Sequence, residues 1–475
     1  MTELEAQMLR LNLNAVGQRI TRRGMIEVGT LGASGVSLPQ LLQAESIAGQ
    51  NATRRSIINI HLDGGPPHLD TIDPKPDAPV EIRGEFDSIA TKLPELRISE
   101  LMPRLAAMAD RFAFIRSLTG SAGAHDAFQC QSGYAESDLK SLGGRPAVGC
   151  VISKLLSSSA DTAPAFIDLM QGRPLVRKSA RPGFLGPAMQ PFRPDISQMF
   201  HRELEAGMKG ELSRLGKDHT VSLTLNPALT EQRLGQRQQL LGSLDRLRRT
   251  ADNSGMMEAM DQFGRQAAGI LLSGRLADAL DLEQEDPAML ARYTAPAASG
   301  RQATTSEGPE SVRKFLLARR LIEAGARCVS VSISDFDTHA DNFPRMRNLL
   351  PIVDFGLTAL ITDLEERGLL DQVAIVVWGE FGRTPRIDPK TGGRHHWPQA
   401  GPALLAGGGL RTGQVIGSTD RTGDDVTSRP VTHKDIFATL YGTLGIDART
   451  TTINDPTGRP QYLLDTGSPL RELIG

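Results

Sequence analysis

The chain has 475 residues, 39% of them hydrophobic and 23% charged, and its formal net charge is −2 at pH 7. This composition is typical of a globular protein with one large domain and an insertion, or with two domains. Neither the small net charge nor the aromatic content of 4% favours nucleic acid as a partner, because such a chain has no excess of basic charge and few rings to stack on bases.

The three cysteines, Cys130, Cys150 and Cys328, are widely spaced. Their number and spacing fit neither a disulfide framework nor a zinc ribbon, although the sequence allows a single disulfide bond. No stretch of about eighteen consecutive apolar residues occurs, so we predict no membrane span. The sequence makes no prediction of the oligomeric state.

Residues 1–50 differ in character from the rest of the chain. They contain the twin-arginine sequence TRRGMI at residues 21–26, a weakly apolar stretch over 28–42, and small residues near a candidate cleavage point. This pattern predicts a twin-arginine export signal and leader, and therefore a periplasmic or otherwise extracytoplasmic protein. The alternative is an amphipathic N-terminal helix, which Glu27 favours and which would leave the protein in the cytoplasm.

The first predicted strand covers residues 56–62 (SIINIHL) and is followed at once by Asp63 and the sequence GGPP. A carboxylate at a strand end, beside glycines that let the backbone come close, suits a metal or phosphate site. An aspartate that merely begins a turn is the structural alternative.

Two more strands are predicted before the middle of the chain, over residues 111–117 and 165–169. The first of them opens into a loop of small residues, LTGSAGAHDAF, that contains Thr119, Ser121 and His125.

Residues 195–292 are rich in Gln, Arg, Leu and Met. We interpret them as a helical insertion or cap, with one strand at 221–225. Residues 294–308 are polar and rich in Ala, Ser and Thr, as expected of a linker. A helix predicted over 309–324 leads into the next strand.

The most informative stretch lies between residues 326 and 398. Residues 327–333 alternate and are β-branched, which predicts a strand. Apolar residues at helical spacing predict a helix over 343–368, and the continuous apolar run 373–378 predicts a strand buried on both faces. A further strand is expected at 402–406 and a helix at 432–444.

A strand, a helix and a second strand in this order make a βαβ unit, so both strands end at the same edge of a parallel sheet. The predicted fold class is therefore a doubly wound, mainly parallel α/β sheet, whose ligands bind at that edge. Asp335, Asp337 and His339 follow the first of these strands, and Glu380, Arg383, His395 and His396 follow the second. Of these, Asp337, His339 and Glu380 should converge on one site.

The converging set combines carboxylates and imidazoles without a thiolate. Such ligands suit zinc first, with manganese, iron or magnesium as alternatives. Two ions would stabilise the attacking and leaving oxygens of an in-line displacement, and Arg383 would hold an anionic oxygen. The candidate metal ligands are Asp63, Asp337, His339, Glu380 and His396.

Each of these motifs also has a purely structural explanation, such as a loop aspartate bonded to a histidine or a surface Glu–Arg ion pair. Several motifs together, each directly after an apolar strand, favour a functional site over these explanations.

Three motifs resemble those of a known family. GGPPHLDTIDPKP (residues 64–76), DFDTHADNF (335–343), and WGEFGRTPRI (378–387) followed by HHWP (395–398) resemble the DUF1501 family. It is a bacterial, often exported family whose function is not established, and it is similar in fold to the alkaline phosphatase and sulfatase superfamily. The resemblance covers most of the chain.

The resemblance implies metal ligands at strand ends. Asp63 would be the first acid, Asp337 or Asp335 would pair with His339, and Glu380 and His396 would follow. From their positions at the strand ends, we expect Asp337, His339 and His396 to form one metal position, and Asp63 and Glu380 to form or bridge a second. We expect Asp335 or Asp341 to accept from the second ring nitrogen of His339.

The sequence departs from the superfamily at Phe381, where a histidine is expected, and it has no clear nucleophile motif. The loop after the second strand offers Thr119, Ser121 and His125, and we expect His125 to donate a proton to a leaving oxygen. Arg383 would face the substrate beside it.

Together these resemblances imply a metal-dependent hydrolase of phosphate or sulfate esters, small or polymer-borne, that acts outside the cytoplasm. The alternative is a metal-bearing or catalytically degenerate binding protein of the same fold. A cytoplasmic phosphomutase is a third hypothesis, and it applies if residues 1–50 are a retained part of the structure.

Overall fold

The strand over residues 56–62 lies inside a sheet of eight strands and is buried along its whole length. A computed structural model describes residues 54–474, except 126, 141–142, 159–160, 171–179, 195, 197–198, 200–273, 298–299 and 302. The predicted leader (1–50), the predicted strand at 221–225 and most of the predicted insertion (195–292) lie outside the described residues.

The strands of the central sheet are β1 Ser56–Leu62, β2 Ala113–Thr119, β3 Phe166–Leu169, β4 Cys328–Ile333, β5 Val373–Trp378, β6 Gly401–Gly407, β7 Gln414–Ile416 and β8 Val431–Thr432. Their order is β7-β2-β6-β5-β1-β4-β3, with β8 also paired to β2. Neighbouring strands are parallel except at β6, which is antiparallel to β2 and β5. The predicted mainly parallel α/β sheet is confirmed.

Among the described residues the α-helices are α1 Val80–Arg83, α2 Pro103–Ala107, α3 Gln129–Ser132, α4 Val148–Leu156, α5 Arg275–Leu280, α6 Pro287–Arg292, α7 Arg313–Ala324, α8 Asn342–Glu366 and α9 His433–Thr443. Short two-stranded hairpins pair Ser88–Ala90 with Arg97–Ser99, Gly382–Arg383 with His396–Trp397, Ser418–Thr419 with Val426–Ser428, and Thr452–Asn454 with Pro460–Tyr462. The end of the predicted insertion is helical in α5 and α6, and the described linker residues 294–308 contain no helix or strand.

Helices cover both faces of the sheet. Alternate residues of a strand point to opposite faces, so each buried strand contributes to two cores. Ile58 and Ile60 of β1 belong to one core, together with residues of α7 and α8. Ile57 belongs to a second core, together with residues of α4 and α9. The sheet is therefore doubly wound, as predicted.

The predicted helices differ from the observed ones mainly at their ends. The helix expected over 309–324 begins with a 3₁₀ turn, Pro309–Val312, before α7. Thr432 caps α9 by accepting from the Asp435 N–H, which satisfies an otherwise free donor of the first turn. β2 begins two residues later than the predicted strand and extends to Thr119.

Both α8 and β6 place chain segments at the carboxyl edge of the sheet. β4 ends there, and α8 returns the chain to β5. The loops after β1, β4 and β5 are neighbours because their strands are adjacent and parallel. Because β6 runs the opposite way, the segment 379–400 leaves and re-enters the sheet at that same edge. All the predicted motifs therefore meet in one region.

The three cysteines are buried and free, so the bridge that the sequence left open is not formed. In the part of the chain that the structure describes, no helix has the length and apolar character needed to cross a membrane.

Candidate metal centre

Two groups of side chains with metal-binding atoms lie at the carboxyl edge, and in each group the atoms are within 4.8 Å of one another. The first group contains His125, Asp337, His339 and His396; the second contains His61, Asp63 and Glu380. All five predicted metal ligands lie in these groups: Asp337, His339 and His396 in the first, and Asp63 and Glu380 in the second.

Asp337 is the centre of the first group. Its Oδ1 atom lies 3.0 Å from His339 Nε2 and 3.7 Å from His396 Nε2, and these two nitrogens are 3.0 Å apart. Its Oδ2 atom lies 3.3 Å from His125 Nε2. The Nε2 atoms of three histidines therefore surround one carboxylate.

The other ring nitrogen of each histidine has an acceptor. His396 Nδ1 lies 3.0 Å from the Gly123 carbonyl oxygen and His125 Nδ1 lies 3.0 Å from Glu380 Oε1. His339 Nδ1 lies 2.9 Å from the Nδ1 atom of His395. If each Nδ1 carries the hydrogen, which we assign from these partners, each Nε2 lone pair is free to bind a cation.

The spacing of the first group fits a cation. In a tetrahedral zinc site with bonds of 2.0–2.1 Å, ligand atoms lie about 3.3–3.4 Å apart. The separations of 3.0 and 3.7 Å from Asp337 Oδ1 lie on either side of this value, and the 3.3 Å between Asp337 Oδ2 and His125 Nε2 matches it. Three imidazoles and one carboxylate are also a donor set that zinc accepts.

His125 lies between the two groups and joins them. Burial alone would lower its pKa, but hydrogen bonds to Asp337 and Glu380 outweigh burial and raise the pKa to about 9. A cation that uses His125 Nε2 must therefore displace a proton. This position differs from the expected role of a proton donor alone, because His125 is itself a member of the ligand group.

Asp337 is held in its charged form. Burial raises its pKa, but hydrogen bonds from His125 and His396 and the charge of Arg383 bring the pKa well below the ordinary value for aspartate. A carboxylate in this state is ready to bind a cation.

The second group lies at the end of β1. His61 Nε2 is 3.4 Å from Glu380 Oε2 and 3.7 Å from Asp63 Oδ1. Among the described residues, neither ring nitrogen of His61 makes a hydrogen bond, although the side chain is fully buried. Such an unsatisfied buried group is costly unless a ligand completes it, and a cation between these three side chains would satisfy Nε2, the nitrogen that faces both carboxylates.

Glu380 is fixed by the backbone of the first loop. The Gly64 N–H lies 3.1 Å from Oε1 and 3.4 Å from Oε2 of the carboxylate. Gly64 has φ +111°, and a Cβ atom there would lie 2.3 Å from the Asp337 backbone nitrogen. Only glycine permits this close approach of the loops after β1 and β4.

Arg383 contacts the first ligand group from a buried position. Its side chain is fully buried, and its guanidinium donates to Asp337 Oδ1 over 2.6 Å and to the backbone carbonyls of Gly64, Gly65 and Arg394. Four of its N–H groups are therefore engaged within the protein and hold Asp337 in place, and the anion-clamp role stays a prediction.

The candidate nucleophiles Thr119 and Ser121 belong to neither group. Thr119 ends β2, where its backbone pairs with Thr432, and the Ser121 hydroxyl accepts from the Gly123 N–H at 3.1 Å. The catalytic role of either hydroxyl stays a prediction.

Of the two candidate aspartates, the structure brings Asp337 and not Asp335 together with the histidines. Asp337 lies in the ligand group, whereas Asp335 accepts from the backbone N–H of Ser306. The second ring nitrogen of His339 was predicted to bond to Asp335 or Asp341. Its partner is His395 instead. Asp341 lies 3.4 Å from Arg301 instead.

His61 is the member of the groups that the sequence analysis missed. A signal was present, because Asn59, His61 and Asp63 alternate within and just after an otherwise apolar strand. Polar residues with a period of two point to the same side of a strand. Because His61 lies two residues before Asp63 on that side, a shared site could have been predicted.

These observations define an α/β protein with two adjoining groups of oxygen and nitrogen ligands at the carboxyl edge of its sheet. The sequence profile of the family described as "Protein of unknown function (DUF1501)" matches residues 54–474, and the chain belongs to this family. No curated protein sequence matches the chain.

Several solved structures are similar in part. A sulfatase from Pseudoalteromonas sp. shares 11% identity with a TM-score of 0.37, covering 86% of this chain and 70% of that one. A phosphonate monoester hydrolase from Silicibacter pomeroyi shares 13% identity with a TM-score of 0.29, covering 88% and 76%. Scores this low carry no inference about the site of this protein.

Proposed function

We propose that this protein is a metal-dependent hydrolase of phosphate or sulfate esters. The observation that carries the proposal is the pair of ligand groups joined by His125, whose ring contacts Asp337 in one group and Glu380 in the other. Two adjacent divalent ions suit the in-line displacement at phosphorus or sulfur, because they stabilise both the attacking and the leaving oxygen. The ester class follows the sequence resemblance described above.

Charge supports an anionic substrate. When the imidazoles have lost their extra protons, as metal binding requires, the three carboxylates of the two groups and the guanidinium of Arg383 leave the site with two negative charges. Two divalent ions would reverse this to two positive charges. A site of that charge attracts a phosphate or sulfate ester and stabilises charge that develops on its oxygens.

The residues of the chain have separate tasks in this proposal. His125, Asp337, His339 and His396 hold the first ion, and His61, Asp63 and Glu380 hold the second. Bound ions supply Lewis acidity and lower the pKa of water. Arg383 orients Asp337, and the Gly64 N–H orients Glu380, so that neither carboxylate must reorganise during the reaction. Zinc fits this donor set best, with manganese, iron and magnesium as alternatives.

A metal and activity assay tests the proposal. We expect the purified protein to bind two equivalents of zinc or manganese, as about two ions fit the two groups, and to hydrolyse p-nitrophenyl phosphate or p-nitrocatechol sulfate. His339→Ala should lose metal and activity together, because it removes a ligand of the first ion. Arg386→Ala, an exposed change in the neighbouring loop, is the control and should keep both.

Two results would contradict the proposal in different ways. If the protein bound no divalent metal, the assignment of both groups would be wrong. If it bound metal but hydrolysed neither ester, the alternative of a metal-bearing or catalytically degenerate binding protein would be favoured.

We further propose that the protein is exported by the twin-arginine pathway. The support is the sequence pattern at residues 21–26 and the apolar stretch that follows it. Replacing Arg22 and Arg23 with lysine should keep the protein in the cytoplasm, measured by cell fractionation and N-terminal sequencing. Unchanged fractionation together with an intact N-terminus on the wild-type protein would reject export.

A further inference from the structure

A chain of side-chain contacts leads outward from the first ligand group. His339 Nδ1 lies 2.9 Å from His395 Nδ1, and His395 Nε2 lies 3.1 Å from Asp388 Oδ2. Neither His395 nor Asp388 belongs to a ligand group. Each contact has the length of a hydrogen bond. The series of contacts ends at the carboxylate of Asp388, which in its ionised form accepts hydrogen bonds and cannot donate them.

The acceptor at the end of the chain determines the direction of every hydrogen bond in it. Asp388 requires a hydrogen on His395 Nε2, which leaves Nδ1 of a neutral His395 as an acceptor. That acceptor requires a hydrogen on His339 Nδ1. His339 Nε2, which faces Asp337 and His396, is then left with a free lone pair.

The backbone holds the two loops together so that these side chains meet. Arg394 N–H donates to the Thr338 carbonyl at 2.8 Å, and the Thr391 hydroxyl donates to the His339 carbonyl at 2.8 Å. A Cβ atom on Gly393 would lie 2.1 Å from the His339 carbonyl oxygen, so a glycine is needed at this contact.

The turn that carries Asp388 is also fixed. Its Oδ1 atom accepts from the Lys390 N–H at 2.8 Å, while its backbone N–H donates to the Gly393 carbonyl at 2.9 Å. The other carboxylate oxygen is thereby aimed at His395. The chain of contacts is held at both ends by main-chain hydrogen bonds.

We propose that His395 and Asp388 are positioning residues, which keep His339 in the tautomer that presents Nε2 to a divalent cation. The inference rests on the proposed function for its purpose, but the hydrogen-bond chain it describes exists without a cation. The partners of His125 and His396 are a ligand-group carboxylate and a backbone carbonyl. The positioning of His339 instead depends on two side chains outside the groups, which substitution can test.

The matched variants are His395→Leu, which removes the acceptor, and His395→Asn, whose Oδ1 atom can accept from His339 Nδ1. We expect His395→Leu to lose about 10–100-fold in zinc affinity, the usual effect of losing an outer partner of a ligand. His395→Asn should recover most of that loss. Lys390→Ala, an exposed side chain of the same turn, is the control and should bind zinc like the wild type.

Histidine tautomers give a second readout that needs no metal. In the metal-free protein with 15N-labelled histidine, long-range 1H–15N spectra should show His339 with its hydrogen on Nδ1 in the wild type and in His395→Asn. The Nδ1–H form should lose its preference in His395→Leu. Asp388→Leu should move the hydrogen of His395 from Nε2 towards Nδ1.

The outcomes separate the two proposals. If His395→Leu kept both the zinc affinity and the His339 tautomer, the positioning role would be wrong. If the wild type bound no metal but the tautomer of His339 still depended on His395 and Asp388, the positioning role would stand and the proposed function would fail. A loss of affinity that His395→Asn did not recover, with an unchanged tautomer, would also overturn the positioning role.

Discussion

Asp337→Asn should abolish cation binding at the first group and lower the stability of the metal-free protein. Asp337 contacts three histidines and Arg383, so the change removes the charge that all of them share. The loss in zinc affinity should exceed the roughly 10–100-fold cost of losing an outer partner, because in the proposed site Asp337 would itself be a ligand. Isothermal titration with zinc measures this effect.

The stability loss has a separate cause. Breaking a buried ion pair by removing one charge costs roughly 3–5 kcal/mol. We expect a smaller loss, on the order of 2 kcal/mol, because three backbone carbonyls still accept from Arg383 and the Asp337 side chain retains 16% exposure. Urea denaturation of the metal-free protein measures it.

Asp335→Asn is the matched control, since it makes the same chemical change two residues away. Asp335 accepts from the Ser306 N–H, and an asparagine oxygen can do the same. Asparagine also tolerates the positive φ of 74° at this position. The control should keep its metal, and equal losses from both substitutions would contradict the central role of Asp337.

The order and class of the elements could be predicted because the sequence is explicit where strands are fully buried. β1, β4 and β5 are continuous or alternating apolar runs, and the observed bounds lie within one residue of the predicted ones. The direction of β6 could not be predicted in the same way. A run buried on both faces is equally apolar whether it lies parallel or antiparallel to its neighbours.

The ligand sets were predictable to the extent that they follow strand ends. Asp63 and Glu380 come directly after β1 and β5, so topology alone brings them together. The partners of His339 were not predictable, because they depend on how the loop 388–396 folds back onto residues 338–342. Main-chain hydrogen bonds at Thr338 and His339 set that contact, and no periodic pattern records it.

The role of Arg383 shows the same limit. An arginine after a candidate metal ligand is chemically suited to bind an anion. Whether it does so depends on the carbonyl groups around it, and here three of them point inward. Residue type could not predict the contacts of Arg383 with Asp337 and these carbonyl groups.

The other large effect is expected at Arg394, the residue that precedes the two histidines His395 and His396. Its fully buried guanidinium donates to both oxygens of Asp70, at 2.8 Å and 3.0 Å, and to the Ile82 and Thr384 carbonyls. The pair holds the loop that carries part of the site against the loop after β1.

Arg394→Met should destabilise the protein by about 3–5 kcal/mol, the cost of leaving a buried charge without its partner. Asp70 is itself buried, and its Oδ2 atom would keep only the Asn342 side-chain N–H at 2.8 Å. The free energy of unfolding from urea denaturation measures this loss. Arg301→Met, the same change in an exposed pair with Asp341, is the control and should have little effect, since surface pairs contribute little.

The double variant Asp70→Asn/Arg394→Met distinguishes a lost ion pair from lost packing. If the cost of Arg394→Met comes from the uncompensated carboxylate, removing that charge as well should restore part of the stability, because the two changes share one interaction and are not additive. If the double variant were as unstable as the sum of the single changes, the pair would contribute through packing alone. A double variant could also regain stability but bind zinc poorly. The protein would then be folded without the Asp70–Arg394 ion pair, and the result would show that this pair also sets the position of His395 and His396.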